Sequence, residues 1–241
     1  MSETDLVLYA VTDGVATITL NRPDAMNSLS VATKEALLAA VQSAAGDEGV
    51  RVVVLTGSGR AFCVGQDLKE HISLLQSGSS DELFTTVRDH YNPIVTAIAT
   101  MPKPVIAAVN GVAAGAGASL AFAADFRILT ESAGFNLAFT GIALSCDTGS
   151  SWTLPRIVGR AKALELLYFP RTIKADEALE LGIATTVASA EAFDATVAEL
   201  AARLAAGPTV AYGAIRRSVL TSASAPLAEA LDFEEIGRAH V

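Results

Sequence analysis

Ala107-Ala108-Val109-Asn110-Gly111-Val112-Ala113-Ala114-Gly115-Ala116-Gly117-Ala118-Ser119-Leu120-Ala121 decides how this chain is read. An apolar run with the character of a buried strand ends in a loop of glycines and alanines, and a helix of small residues follows at once. Side chains this small let a ligand approach the main chain, and a helix start presents N–H groups that have no intrahelical partner. A site built from main chain in this way suits a negatively charged oxygen.

Working outward, Pro102 and Pro104 introduce the strand Val105 to Val109. Val15 to Leu20 alternates small or apolar residues with threonine and reads as a strand, with a turn at Asn21-Arg22-Pro23-Asp24. Ser30 is an N-cap for a helix that buries Leu37, Leu38 and Val41. Val52-Val53-Val54-Leu55-Thr56 is a fully apolar strand ended by Gly57-Ser58-Gly59, and residues 81–100 carry a helical pattern broken near Pro93. This strand and helix alternation predicts an α/β layer fold. From Gly159 onward the pattern is mostly helical. Leu164, Leu167 and Tyr168 form one apolar face, and Asp176 to Leu181 is a short helix stopped by Gly182. Helices follow near 191–206 and 208–223, so the chain divides into a core, 1–190, and a C-terminal helical module, 191–241.

The 241 residues carry a net charge of -9, which argues against a nucleic-acid partner. Two cysteines, Cys63 and Cys146, are too few for a disulfide framework and imply a reduced, cytoplasmic setting. Met1-Ser2-Glu3-Thr4-Asp5 is not a secretory signal. Asn110, Gly111, Gly115, Gly117 and Ser119 interrupt the longest apolar stretch, so it reads as buried strand and helix, and no membrane association is expected.

Two loops share one design. Ser58-Gly59-Arg60-Ala61-Phe62-Cys63-Val64-Gly65-Gln66-Asp67-Leu68 follows a strand with small residues, as does Asn110 to Ser119. If both face one pocket, the amides near Cys63 and Ala116 converge on one oxygen as an oxyanion hole, each donor contributing about 3–4 kcal/mol to a transition state. The competing reading is that small residues only permit tight helix-on-strand packing. A dinucleotide-binding loop is a third reading, but Leu120 stands where its third glycine belongs and no acidic residue follows at the required distance.

Taken together, Asn21-Arg22-Pro23 with Asn27-Ser28-Leu29, Ala61-Phe62-Cys63 with Gly65 and Asp67-Leu68, and Pro102-Lys103-Pro104-Val105-Ile106-Ala107-Ala108-Val109-Asn110-Gly111 resemble the crotonase superfamily of enoyl-CoA hydratases and isomerases. Pro155-Arg156 with Gly159, and Ala175, Ala178, Gly182 and Ile183, continue the match. The resemblance covers almost the whole chain. It implies a spiral of ββα turns with a C-terminal trimerisation module, a homotrimer or a hexamer made as a dimer of trimers. It also implies an acyl-CoA thioester as substrate, with coenzyme A part of that substrate and no separate cofactor. Its oxyanion donors map to the amides of Cys63 and Ala116, beside Gly115, and the Cys63 thiol is not required. Substrate contacts map to Ala61, Val64, Gly65, Gln66, Asp67 and Leu68, with Arg22 near the CoA phosphates. Family members usually continue for another helix that covers the nucleotide, and with the chain ending at His240-Val241 that cover is expected to be shortened or absent.

The departures carry the chemistry. Hydratases of this family place glutamates where this chain has Ser119 and Phe139, and neither residue can manage the two protons of hydration. Instead Asp147 stands in Ser145-Cys146-Asp147-Thr148-Gly149-Ser150-Ser151-Trp152. With Tyr91-Asn92-Pro93 upstream, this segment is similar to the ring-epoxide isomerase branch, in which the matching aspartate shuttles a proton. A carboxylate buried against Phe139, Ile142 and Leu144 would have a raised pKa. Asp147 also reads as an N-cap for the helix ahead, or as a nucleophile, as in the dehalogenase branch. Phe84, Phe139 and Trp152 are expected around the acyl group. His90 is a weaker pocket candidate, His71 and His240 read as solvated, and Lys69 and Arg88 are further phosphate candidates. No spacing suggests a metal site. The resulting expectation is an acyl-CoA isomerase using Asp147. A hydratase with Asp147 alone, or a weakly catalytic acyl-CoA-binding protein, stands as the alternative.

Overall fold

The computed structural model describes residues 5–76 and 85–238. β1 (Val7–Thr12) pairs antiparallel with β2 (Val15–Leu20), which continues into a six-stranded sheet through β3 (Val52–Gly57), β5 (Val105–Val109), β7 (Phe126–Thr130) and β10 (Thr186–Ala188), all parallel. A second sheet places β4 (Ala61–Cys63), β6 (Val112–Ala114) and β8 (Gly134–Asn136) in parallel, with β9 (Thr172–Lys174) antiparallel at the end.

Three strands of the large sheet, β3, β5 and β7, each lead to one of the small sheet and then to helix. β3 and β4 lead to α2 (Leu68–Gln76) and α3 (Asn92–Thr100), β5 and β6 to α4 (Ala116–Phe122), and β7 and β8 to α5 (Ser150–Val158) and α6 (Arg160–Tyr168). The result is the ββα spiral that the resemblance implies.

The continuous apolar run of β3 follows from cover on both sides of the sheet. Val53 and Leu55 join the core with Ile18, Leu20, Ala107 and Val109, beneath α1 (Val31–Gly46). Val52 and Val54 join Ile106, Ala108 and Ile128 against Phe193, Ala201, Leu204 and Ala205 of α8 (Phe193–Ala206). Ser30 caps α1 as expected, its Oγ accepting from the Thr33 amide at 3.2 Å.

Several local expectations need correction. Pro93 does not break a helix: it lies in the first turn of α3, where a missing N–H costs nothing, after a π-helical turn at Val87–Tyr91. The buried face of α6 is Ala163, Leu166 and Leu167, while Tyr168 is 62 % exposed. The region after Gly159 also supplies β9 and β10, one to each sheet. α7 (Ala175–Glu180) ends before Gly182, whose φ of 72° is the left-handed value a helix stop requires. Among the described residues no helix is long and apolar enough to cross a membrane.

Candidate active site

The two small-residue loops meet. A Cβ on Gly117 would lie inside the contact distance of the Cys63 carbonyl, and one on Gly65 would lie 2.9 Å from the Ala114 oxygen and 3.2 Å from the Ala116 nitrogen. Glycine is therefore demanded at both positions by the neighbouring main chain, and at Gly65 also by its φ of 82°. Ala116 opens α4 behind Gly115, whose φ of 50° and ψ of -124° exclude other residues. Among the described residues the Ala116 amide has no hydrogen-bond acceptor. Burial pushes the Cys63 thiol up to about 12, against a hydrogen bond from the Gly65 amide, so the thiol stays protonated.

Asp147 is half-buried, and burial raises its carboxyl above the usual range, opposed by the Thr148 hydroxyl and the charge of Lys34. Thr148 Oγ1 donates to Asp147 Oδ1 at 2.7 Å. Thr148 has a φ of 53°, a left-handed conformation that a β-branched residue adopts only under strain. The N-cap reading of Asp147 is overturned: Gly149 occupies the cap position of α5, and Asp147 contributes only its backbone carbonyl, which accepts from Ser150 N at 3.0 Å. Thr148 and Gly149 are both left-handed, and the carboxylate makes no cap hydrogen bond to the helix. Phe139 is buried, but Ile142 and Leu144 are 55 % and 51 % exposed, so they do not enclose Asp147 within this chain.

Ser119, at one glutamate position of the hydratase pattern, is fully buried and shares a 2.5 Å hydrogen bond with Ser150, also fully buried. Its hydroxyl thereby ties α4, which carries the Ala116 amide, to the start of α5, just after Asp147.

Other expected site residues go elsewhere. Arg22 and Asp67 pair with each other, Nη1 to Oδ2, at 2.9 Å. Arg22 also donates to the Ser28 carbonyl, and Asp67 accepts from the Lys69 and Glu70 amides at the start of α2. Burial works to raise the Asp67 carboxyl, but hydrogen bonds from Arg22, the Glu70 amide and Ser28 hold it below the usual range. Asn27, beside Ser28, donates to the Ser58 and Ala61 carbonyls at β4, where Ala61 is buried, and Val64 just after the strand is half-buried. Leu68 faces solvent. Trp152 stacks on the Arg156 guanidinium at 4.0 Å and lines a cavity of about 410 Å³ with Phe122, Tyr212 and Ile215, away from Asp147. Arg88 pairs with Asp89 on the surface. Phe84, the His71 side chain and His240 lie outside the described residues.

Sequence reasoning passed over Lys34. It is 1 % exposed, donates to Gln66 Oε1 at 3.2 Å and Thr86 Oγ1 at 2.5 Å, and sits 5.1 Å from the ring centre of Tyr91. Burial lowers its pKa, while the charges of Glu70 and Asp147 raise it. Tyr91 is buried and donates to the same Gln66 oxygen at 2.5 Å. His90 joins through Thr86, Nδ1 to Oγ1, at 3.0 Å.

The enoyl-CoA hydratase/isomerase family model matches residues 10–237. The chain belongs to this family, within the crotonase superfamily, and is an enzyme of the hydratase/isomerase type. Over 230 residues it is 43% identical to a Rhodobacter capsulatus protein named "Probable enoyl-CoA hydratase", covering 95% of this chain and 86% of that one. It is 39% identical to the 1,2-epoxyphenylacetyl-CoA isomerase of Escherichia coli, covering 95% and 87%. An enoyl-CoA hydratase structure from Bacillus anthracis superposes with a TM-score of 0.91 at 32% identity, covering 98% of this chain and 90% of that one.

Proposed function

We propose that the protein isomerises unsaturated acyl-CoA thioesters. The amides of Cys63 and Ala116 polarise the thioester carbonyl and hold the enolate oxygen formed when a proton leaves carbon. Asp147 takes that proton and returns it further along the chain, so the double bond moves and no water is consumed. The observation that carries this reading is one half-buried carboxylate with a raised pKa, in a site where Ser119 and Phe139 stand at the two glutamate positions. Gly65, Gln66 and Gly115 are assigned to the thioester path. The exposed apolar side chains of α9 (Thr209–Ser222) and α10 (Leu227–Arg238), among them Ile215, Val219, Leu227 and Leu231, support assembly as a homotrimer or a hexamer of two trimers. The working compartment is the cytoplasm, and no further cofactor is needed.

Hydration by Asp147 through a single water is the second reading, favoured by the hydratase-named relative at 43% identity. Incubating the pure protein with a 3-enoyl-CoA and a 2-enoyl-CoA, and following the double bond by NMR, separates the two. Interconversion of the two enoyl thioesters is the expected outcome. Accumulation of a 3-hydroxyacyl-CoA as main product would replace the isomerase reading with the hydratase one, and binding without turnover across an acyl panel would leave a binding protein.

A further inference from the structure

Gln66 is held from one side only. Two donors, Lys34 Nζ at 3.2 Å and Tyr91 Oη at 2.5 Å, converge on its Oε1. The two ends of a glutamine carboxamide are ordinarily hard to tell apart, but here chemistry settles the matter: an ammonium can only donate, so the atom facing Lys34 is the oxygen. Lys34 is itself fixed, by Thr86 and by the Tyr91 ring, and at 1 % exposure it has no room to swing away. The Gln66 NH2 must then point to the opposite side. Among the described residues it has no acceptor, and it is not sealed in: the buried side-chain atoms left unpartnered belong to Ser58, Asn136 and Thr209. Two N–H donors are therefore left without an acceptor among the described residues, beside a cluster whose members Lys34 and Tyr91 both feel the charge of Asp147.

We propose that Lys34 and Tyr91 are positioning residues that lock Gln66 so that its NH2 donates to an oxygen on the acyl group, making the enzyme prefer acyl thioesters that carry a carbonyl or hydroxyl oxygen near the reacting carbons. The inference rests on the acyl-CoA reading of the site but not on turnover. A plain hydrocarbon chain would strip water from these N–H groups and return nothing, which is the basis of the discrimination.

The test compares calorimetric affinities of the full chain for butanoyl-CoA, 3-oxobutanoyl-CoA and 4-hydroxybutanoyl-CoA. Gln66→Glu keeps an acceptor for both Lys34 and Tyr91 and puts an acceptor oxygen where the outward donors were, which a ligand carbonyl cannot use but a ligand hydroxyl can. Wild type should bind at least one oxygenated thioester about five- to tenfold tighter than butanoyl-CoA, the worth of one good hydrogen bond. In Gln66→Glu the ratio for 3-oxobutanoyl-CoA should fall to about one or below, with the melting temperature maintained. Lys34→Met, which frees the carboxamide to turn, should lower the ratio part of the way. If Lys34→Met does not fold, Gln66→Glu alone decides. A wild-type ratio of one for both oxygenated thioesters, a 3-oxobutanoyl-CoA preference that survives Gln66→Glu, or an equal loss for free CoA, which would assign the donor to the pantetheine arm, each overturns the inference. Because no turnover is needed, these results are independent of whether Asp147→Asn abolishes isomerisation.

Discussion

The paired glycine loops and the Asp147 loop, tied to each other through Ser119 and Ser150, are built in opposite ways. Around Cys63 and Ala116 everything is main chain: Gly65 and Gly117 let two backbones touch, and the side chains there only have to be small. Around Asp147 the proposed mechanism relies on a side chain, held by the hydroxyl of Thr148, itself a strained left-handed residue. The first half is dictated by the fold and tolerates almost no added atom. The second can change its chemistry by changing one residue, which is why one scaffold can host hydration and isomerisation alike.

Removing the carboxylate should have the largest effect on catalysis. Asp147→Asn is expected to lower kcat by about 10²- to 10⁴-fold, the usual worth of a positioned acid–base group. The same variant should raise the melting temperature at neutral pH. The folded carboxyl titrates above its unfolded value, so the charged form destabilises the fold, and this cost sets in as pH rises from the ordinary carboxylate value of 3.8 through the raised one. Below that window the two proteins should melt alike, which differential scanning calorimetry across pH can check.

On the main-chain side, Gly117→Ala drives a methyl into the Cys63 carbonyl. Overpacking of this kind costs about 1–3 kcal/mol, and displacing one oxyanion donor costs about 10²–10³ in kcat. Urea unfolding and steady-state rates should both register it. Normal activity in this variant would show that the two loops are not a rigid pair. The serine tie between the halves is a smaller term. Ser119→Ala leaves the buried Ser150 hydroxyl without that partner and should cost about 1–3 kcal/mol, whereas the double change to alanine should cost less than the single one. A double-mutant cycle measures the difference. Cys63→Ala comes last: only its amide is used, so kcat should stay within about twofold while stability falls by about 1 kcal/mol for the lost sulfur. Thiol reagents should leave Cys63 of the native protein unmodified at neutral pH, since it is buried and burial pushes its thiol up to about 12.

Much of the fold was legible where local chemistry is strong. The Ser30 cap, the β5 strand and the glycine turn after it follow from neighbouring residues alone. The small sheet was not, because β4, β6 and β8 have three residues each, too few to show a period of two. Family motifs gave position without role: Arg22 and Asp67 read as ligand contacts but satisfy one another. Lys34 escaped because a lysine on a helix reads as solvated, while its partners Gln66 and Thr86 lie 32 and 52 residues away. Asp147 read equally well as a cap, since the turn that puts Gly149 in the cap position instead depends on Thr148 adopting a conformation its residue type disfavours.

The most direct test of a main-chain cradle served by one acid is the pH profile of kcat/KM for isomerisation of a 3-enoyl-CoA, measured in wild type and in Asp147→Asn. The profile should rise through an acid limb above the ordinary aspartate value of 3.8, and the limb should vanish with most of the activity in the variant. An acid limb that persists unmoved in a fully active Asp147→Asn protein would contradict the account.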